Sequence, residues 1–587
     1  MKPYTKSLIA IVVICFLAGC SGEAPKKEEG GTASTGASLF FGARVIPGDG
    51  KPAMENVNFL VENGKITAIG SREEVKPPRG SAEIDLNGKT VTPVFINVHA
   101  HPGIAFGSGE GADNYSRDSI IADLKRYEYY GIGAVGSLGS DRGEVAFNIR
   151  DEQREGKLNG ARLYTAGRGI APRGGAPSFL GDIPIEVSSA AEARKAVQAE
   201  ADQKVDLISI WVDDNGRSTK MRPEVYKAVI DEAHKHKLKA VAHVFYLADA
   251  KDLVDSGIDG LVQSIRDRDV DEALISAMKA KNVFLTPSLT AHEARFVYAE
   301  KPDWLGSQLM REVYPAALSA TLADAVTQNR FRRHSELPAW KQQYATAMRN
   351  LKKLSAAGVK IGFGTDSGSP DTYPGFFEVR EMMSMAGAGM SPMDVITAAS
   401  SVSASILGAD DLGAITVGKS GNFLTFSNNP AEKIENIEDM QSLYINGSEV
   451  ERSKLVLDLA VDVKKITEQD REKDRQAQIQ AAKDAADAKL PHYGGFIAGQ
   501  SVAVRSMPIP MPRGAKASVK AGPPDRIDVS FKASASAIRG FYADVLPVYK
   551  WRAAGSCWER PHPTSGKTQV LCVEGSGGGA VIQINEK

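Results

Sequence analysis

Hydrophobic positions along this chain fall into distinct textures. Over 38–92 they alternate with polar ones in short runs, at 38–45, 57–62, 65–69 and 82–86. Successive side chains on a strand point to opposite faces, so this alternation predicts short, half-buried strands. Glu62-Asn63-Gly64-Lys65 between two of them is a hairpin signal, because Asn-Gly accepts positive φ at both turn positions. From 93 to 410 the texture changes. Helical stretches at 116–130, 190–203 and 222–236 are followed by apolar strand runs at 132–136, 207–212 and 239–243, and a last such run spans 359–364. Strand-helix alternation over this length predicts an α/β fold, a (β/α)8 TIM barrel.

Strand texture returns over 411–455, in runs at 422–426 and 441–445 with an Asn446-Gly447 turn. A small sheet with open edges is poorly stable alone, so these strands are expected to join those of 38–92 in a composite β-sandwich. Residues 456–495 read as a charged helical linker, with an exposed Ala-rich helix over 461–490 that contains no Gly or Pro. The remainder, 496–587, reads as a small α+β domain with strands at 526–532, 568–574 and 580–585 and a helix at 535–546.

The first 37 residues stand apart. Lys2 and Lys6 precede an apolar run at 8–17 that is too short to cross a bilayer, and Leu17-Ala18-Gly19-Cys20 follows. Leu-Ala-Gly-Cys resembles a bacterial lipobox. It implies a signal peptide over 1–20, cleavage before Cys20 and a lipid anchor on its sulfur, on the periplasmic side of a bacterial membrane. Ser21 rather than aspartate after the cysteine points to the outer membrane. Residues 21–37 carry scarcely an apolar side chain and read as a flexible tether. A net charge of −1 gives no reason to propose a nucleic-acid partner. Of four cysteines, Cys15 and Cys20 belong to the signal, which leaves Cys557 and Cys572 either paired across a hairpin or as two buried thiols.

Candidate chemistry lies at the ends of the barrel runs, where such folds carry their catalytic groups. His99 and His101 are two apart at the end of an apolar run, so both imidazoles can reach one ion. His243 and Asp366 end two further runs. Three nitrogens and one carboxylate suit one divalent metal ion, Zn or Fe. Such an ion lowers the pKa of bound water towards ~7, and Asp366 can accept the proton and pass it to a leaving amine.

Pro93-Val94-Phe95-Ile96-Asn97-Val98-His99-Ala100-His101 resembles the signature run of the amidohydrolase superfamily, in its imidazolonepropionase- and prolidase-like branch. Ile84-Asp85-Leu86-Asn87-Gly88-Lys89, Gly364-Thr365-Asp366-Ser367 and Leu412-Gly413-Ala414-Ile415-Thr416-Val417-Gly418-Lys419 carry the same resemblance. It covers about 38–452 and implies a hydrolase acting on C–N bonds. The expected substrate is a small molecule: a cyclic amide, an acyl-amino acid or a small dipeptide. At two positions the chain departs from the family. Ser209 stands where binuclear members carry a bridging lysine, and Gln263 where they carry a histidine. A hydroxyl cannot bridge two cations and an amide cannot titrate. The resemblance therefore implies a single-metal set of His99, His101, His243 and Asp366, with Gln263 facing the substrate. The alternative is a catalytically impaired binding protein.

Weaker signals remain. His292 follows another apolar run at 283–289, near the mouth of the site. Arg173, with Arg168 in a glycine-rich loop, is a candidate for a substrate carboxylate by bidentate hydrogen bonds. That loop lacks the lysine and hydroxyl of a phosphate-binding loop. His234 and His236 end a Lys-rich helix, where the helix dipole suffices to explain them.

Overall fold

The computed structural model describes residues 36–106, 109–214 and 218–455, and, beyond these, 493–497, 509–512, 517–521, 526–531, 534–561, 567–576 and 579–586. The signal segment, Cys20, nearly all of the tether and the helix expected over 461–490 lie outside them.

Asn63 and Gly64 both adopt positive φ, at 50° and 77°, and close the turn between strands Met54–Glu62 and Lys65–Gly70. Asn446 and Gly447 repeat the device. The strands before and after the central unit meet as expected: Phe423–Phe426 runs antiparallel to Thr90–Pro93, pairing Phe423 with Pro93. The form differs from the expected sandwich. All these strands belong to one eight-stranded sheet, in the order 448–449, 440–445, 423–426, 90–93, 37–45, 54–62 and 65–70, with 82–85 beside 37–45. Phe59 and Phe423 sit on strands three places apart. A flat sheet would separate those strands by about 14 Å, yet their rings are 5.1 Å apart. The sheet curls over Phe40, Phe59, Phe423 and Tyr444, and that aromatic core replaces a second sheet.

The central unit holds parallel strands in two arcs. One runs Arg162–Thr165, Ile132–Ser137, Phe95–Ala100; the other runs Ile185–Val187, Ile170–Pro172, Ile208–Trp211, Ala240–His243, Gly260–Val262, Phe284–Thr286. Residues 359–367 lie between the arcs, with Gly362 N donating to Leu285 O and Val98 N to Phe363 O, both at 2.9 Å. At the other seam Asp206 N donates to Thr165 O at 2.8 Å. Backbone hydrogen bonds thus bridge both gaps. Gly364 permits the first approach, since a Cβ there would meet the His99 Cβ at 2.8 Å.

Near the C-terminus a six-stranded antiparallel sheet, from Ala517–Ala521 to Arg552–Ala554, carries the helix Ala535–Val545. Ile538 and Tyr542 of the helix pack with Leu571 and Ile582. Cys557 and Cys572 face each other on adjacent strands and are disulfide-bonded.

Candidate metal centre

Three segments of the chain converge on one point. His99 closes the strand Phe95–Ala100, His101 follows it, His243 ends Ala240–His243, and Asp366 follows 359–364. Asp366 Oδ1 lies 2.8 Å from His101 Nε2 and 3.3 Å from His99 Nε2. His243 Nε2 lies 3.1 Å from His99 Nε2. The ligand nitrogens of the three histidines all fall within 4.8 Å of one another. Donors about 2.1 Å from a central ion would stand about 3.4 Å apart, so the three imidazoles fit a single cation, and Asp366 meets that set through His99 and His101.

The outer contacts fit as well. His243 Nδ1 is 3.2 Å from the Ile210 carbonyl, a partner that can only accept, which leaves the Nε2 lone pair inward. His99 Nδ1 is 3.1 Å from Ser288 Oγ. Trp211 stacks on His243 with ring centroids 4.8 Å apart. Burial holds His99 below the usual imidazole range and His243 well below it, so both are neutral and able to ligate. Burial pushes the Asp366 carboxyl up, but His99 and His101 outweigh it and hold the group well below the usual range, ionised.

Three residues at these strand ends carry left-handed backbone without being glycine: Gln263 at φ 70°, Ser288 at 48° and Asp366 at 61°. That conformation costs a side-chain-bearing residue about 1–2 kcal/mol, and such strain collects at functional sites. A buried hub fixes the far side. Asn97 Oδ1 accepts from His99 N at 2.9 Å, and Asn97 Nδ2 donates to Glu378 Oε1 at 2.6 Å. Thr365 and Ser367, on either side of Asp366, donate to the same oxygen at 2.7 and 2.6 Å.

The other expected positions sort as follows. Gln263 turns its amide to Asp366, Nε2 donating to Oδ2 at 2.7 Å; its described partner is the catalytic candidate itself. Ser209 is fully buried, and its Oγ has no hydrogen-bond partner. His292 is 3 % exposed, on the helix Leu289–Val297 that starts beside Ser288, with Nε2 unpartnered. Arg173 is not brought to the cluster: it is exposed and its Nε donates to Ser188 Oγ at 2.9 Å. Arg168 spends its guanidinium on the carbonyls of Ile183 and Asp182. His234 lies in the last turn of the helix Pro223–Lys235 and its Nε2 is 2.9 Å from Asp259 Oδ2. Glu378, Asn97 and Ser288 escaped the sequence reading. The available signal was two charged residues, Glu378 and Glu381, one helical turn apart on the apolar helix Phe376–Gly387.

A sequence profile described as Amidohydrolase family matches residues 90–450. The chain belongs to that family. It is 22% identical over 456 residues to an ochratoxinase of Aspergillus niger, covering 69% of this chain and 84% of the relative. It is 25% identical over 202 residues to an enamidase of Eubacterium barkeri, a match spanning 34% of this chain and 47% of that protein. Among solved structures it is similar to an Xaa-Pro dipeptidase with bound methionine in the active site, at TM-score 0.57, 22% identity, 70% of this chain and 99% of that one. It is also similar to a molinate hydrolase, at TM-score 0.55, 20% identity, 73% of this chain and 97% of that one. At these identities the structural likeness speaks for the fold.

Proposed function

We propose that this amidohydrolase cleaves a C–N bond of a small molecule (a cyclic amide, an acyl-amino acid or a small dipeptide) with one divalent metal ion held by His99, His101, His243 and Asp366 in a closed (β/α)8 barrel. The convergence of three buried imidazoles, with the Asp366 carboxylate against two of them, His99 and His101, carries this reading. The relatives named an enamidase, an Xaa-Pro dipeptidase and a molinate hydrolase support a small-molecule substrate. When bound, Zn or Fe supplies Lewis acidity that polarises the scissile carbonyl and acidifies water.

Asp366 accepts the proton of the attacking water as the water's oxygen bonds to the carbonyl carbon. It returns that proton to the nitrogen as the C–N bond breaks, giving an acid and an amine. Gln263 holds Asp366 through Oδ2 and leaves Oδ1 toward the imidazoles. Ser209 offers neither charge nor reach for a second ion, which supports a single-metal site.

Ser209 and Gln263 also favour a second reading, a protein that binds its ligand without turning it over. The full chain, purified in detergent and offered acyl-amino acids, dipeptides and cyclic amides, distinguishes the two. Hydrolysis lost on chelation, restored by Zn or Fe and absent in Asp366→Ala supports the enzyme; tight binding without turnover supports the alternative.

The lipobox-like run supports export, with residues 1–20 as signal, Cys20 as lipid anchor and 21–37 as tether at a periplasmic membrane face. Replacing Cys20 by alanine should release the protein from the membrane fraction; unchanged fractionation would refute the anchor.

A further inference from the structure

A cleft of about 1320 Å³ opens at the starts of the barrel strands, the end opposite the metal candidates. Gly133 and Arg162 line it from the barrel, at the beginnings of Ile132–Ser137 and Arg162–Thr165. Asn422, just ahead of Phe423–Phe426, and Asn446, in its hairpin turn, line it from the curled sheet. The guanidinium groups in this lining are already neutralised. Arg150 Nη1 and Arg154 Nη2 each reach Asp206 at 3.1 Å, and Arg162 Nη1 reaches Asp411 at 2.7 Å. The mechanism above uses none of these residues.

Other hydrogen-bonding groups in the cleft are unpaired. The Glu128 side chain is 6 % exposed and receives no hydrogen bond among the described residues. Burial pushes its carboxyl up to about 7, against the opposing charge of Lys125. Asn422 is 4 % exposed; its Oδ1 accepts from Asn446 N at 2.7 Å, while Nδ2 meets no acceptor among the described residues. The side-chain amides of Asn159 and Asn446 and the hydroxyl of Tyr164, all in the same lining, also make no hydrogen bond among the described residues. Buried polar groups are nearly always bonded. Here a carboxyl and an amide withdrawn from bulk solvent face an open cleft, beside further unpaired amides and one aromatic ring.

The ligand class follows from this chemistry. Pockets for compact, mostly apolar ligands hold about 300–1,000 Å³, so a larger, polar cleft suits an extended ligand. A phosphate-bearing polymer requires a track of free positive charge, and the arginines here are spent on Asp206 and Asp411. An extended peptide adds to a free strand edge, and the edge strand in this lining, Ser448–Glu449, offers only two residues. Many hydroxyls, with an apolar C–H face to rest on an aromatic ring, match what remains. We propose that this cleft binds an uncharged oligosaccharide, whose hydroxyls bond Glu128, Asn422 and Asn159 and whose ring face meets Tyr164. The proposal is independent of the hydrolytic reading, because the two sites lie at opposite ends of the barrel strands.

The full chain, purified in a detergent without a sugar headgroup, is titrated calorimetrically with two neutral trisaccharides, chitotriose and maltotriose. The cationic trimer of glucosamine and the anionic trigalacturonate are titrated beside them. A neutral trisaccharide binds more tightly than either charged trimer. Asn422→Ala and Asn159→Ala each weaken it by about 3- to 10-fold, the loss of one neutral hydrogen bond, and leave the metal content unchanged. Asn159 is exposed, so its variant keeps the test alive if replacement of the buried Asn422 costs the fold. Failure of both neutral sugars to bind overturns the proposal, as does equal or tighter binding of a charged trimer. Affinity undiminished in Asn159→Ala overturns it too, since the sugar would then sit elsewhere.

Discussion

Glu381 offers a test of how burial and hydrogen bonding compete beneath the site. The side chain is fully buried; Oε1 accepts from Leu289 N at 2.8 Å, and Oε2 accepts from Thr290 N and Thr290 Oγ1, both at 2.7 Å. Burial pushes its carboxyl up to about 7, outweighing the bonds from Thr290 and Leu289 that lower it, with Glu293 adding to the rise. The unfolded chain holds the same group near the ordinary value of 4.5. Between these values the folded state binds the proton and the unfolded state does not. The contribution to stability is therefore complete below about 4.5 and is lost as pH climbs through about 7. Integrated from pH 5 to pH 8, the loss is about 2.5 kcal/mol. Glu381→Gln keeps the size and removes the titration. Urea unfolding of both proteins at intervals across that range should show the stability of wild type relative to the variant falling by about this amount as pH rises. Subtracting the variant cancels the parallel rises of Glu128 and Glu200. A difference that stays constant, or grows with pH, would refute the argument, because it would mean that the three hydrogen bonds win over desolvation.

Other outcomes follow from the same physics. Glu378→Ala strips the acceptor from Asn97, Thr365, Ser367 and Gly375 N at once. At about 1–3 kcal/mol per orphaned buried donor, the variant should lose more than about 4 kcal/mol and fail to accumulate as folded protein; a normal unfolding midpoint would contradict the hub. Replacing Cys557 and Cys572 together by serine opens a closure with a sequence separation of 15. It should lower the stability of the C-terminal sheet by about 3 kcal/mol, read as protease cleavage within 526–586, and unchanged resistance would sink the estimate.

How much was legible in the sequence follows from where each determinant resides. His99, His101, His243 and Asp366 could be read because each ends an apolar run, and strand ends in such folds share one face. The joining of strands 38–92 and 411–455 could be read because neither set closes its own edges. The curl of the joined sheet could not, since it depends on aromatic residues meeting across strands remote in the chain, as Phe59 meets Phe423. Arg173 misled for a related reason: a loop's composition says what it could bind, not where its side chains point. Ser288 was invisible because its value lies in a partner 189 positions away, and Glu378 showed only as a charge on an apolar helix, its partner Asn97 being 281 positions away.

Elemental analysis of the purified full chain tests the metal centre most directly. The account predicts about one equivalent of Zn or Fe per wild-type chain, and a substoichiometric content in a folded His243→Ala variant. Two equivalents in the wild type, or a His243→Ala protein that retains its full complement, would contradict it.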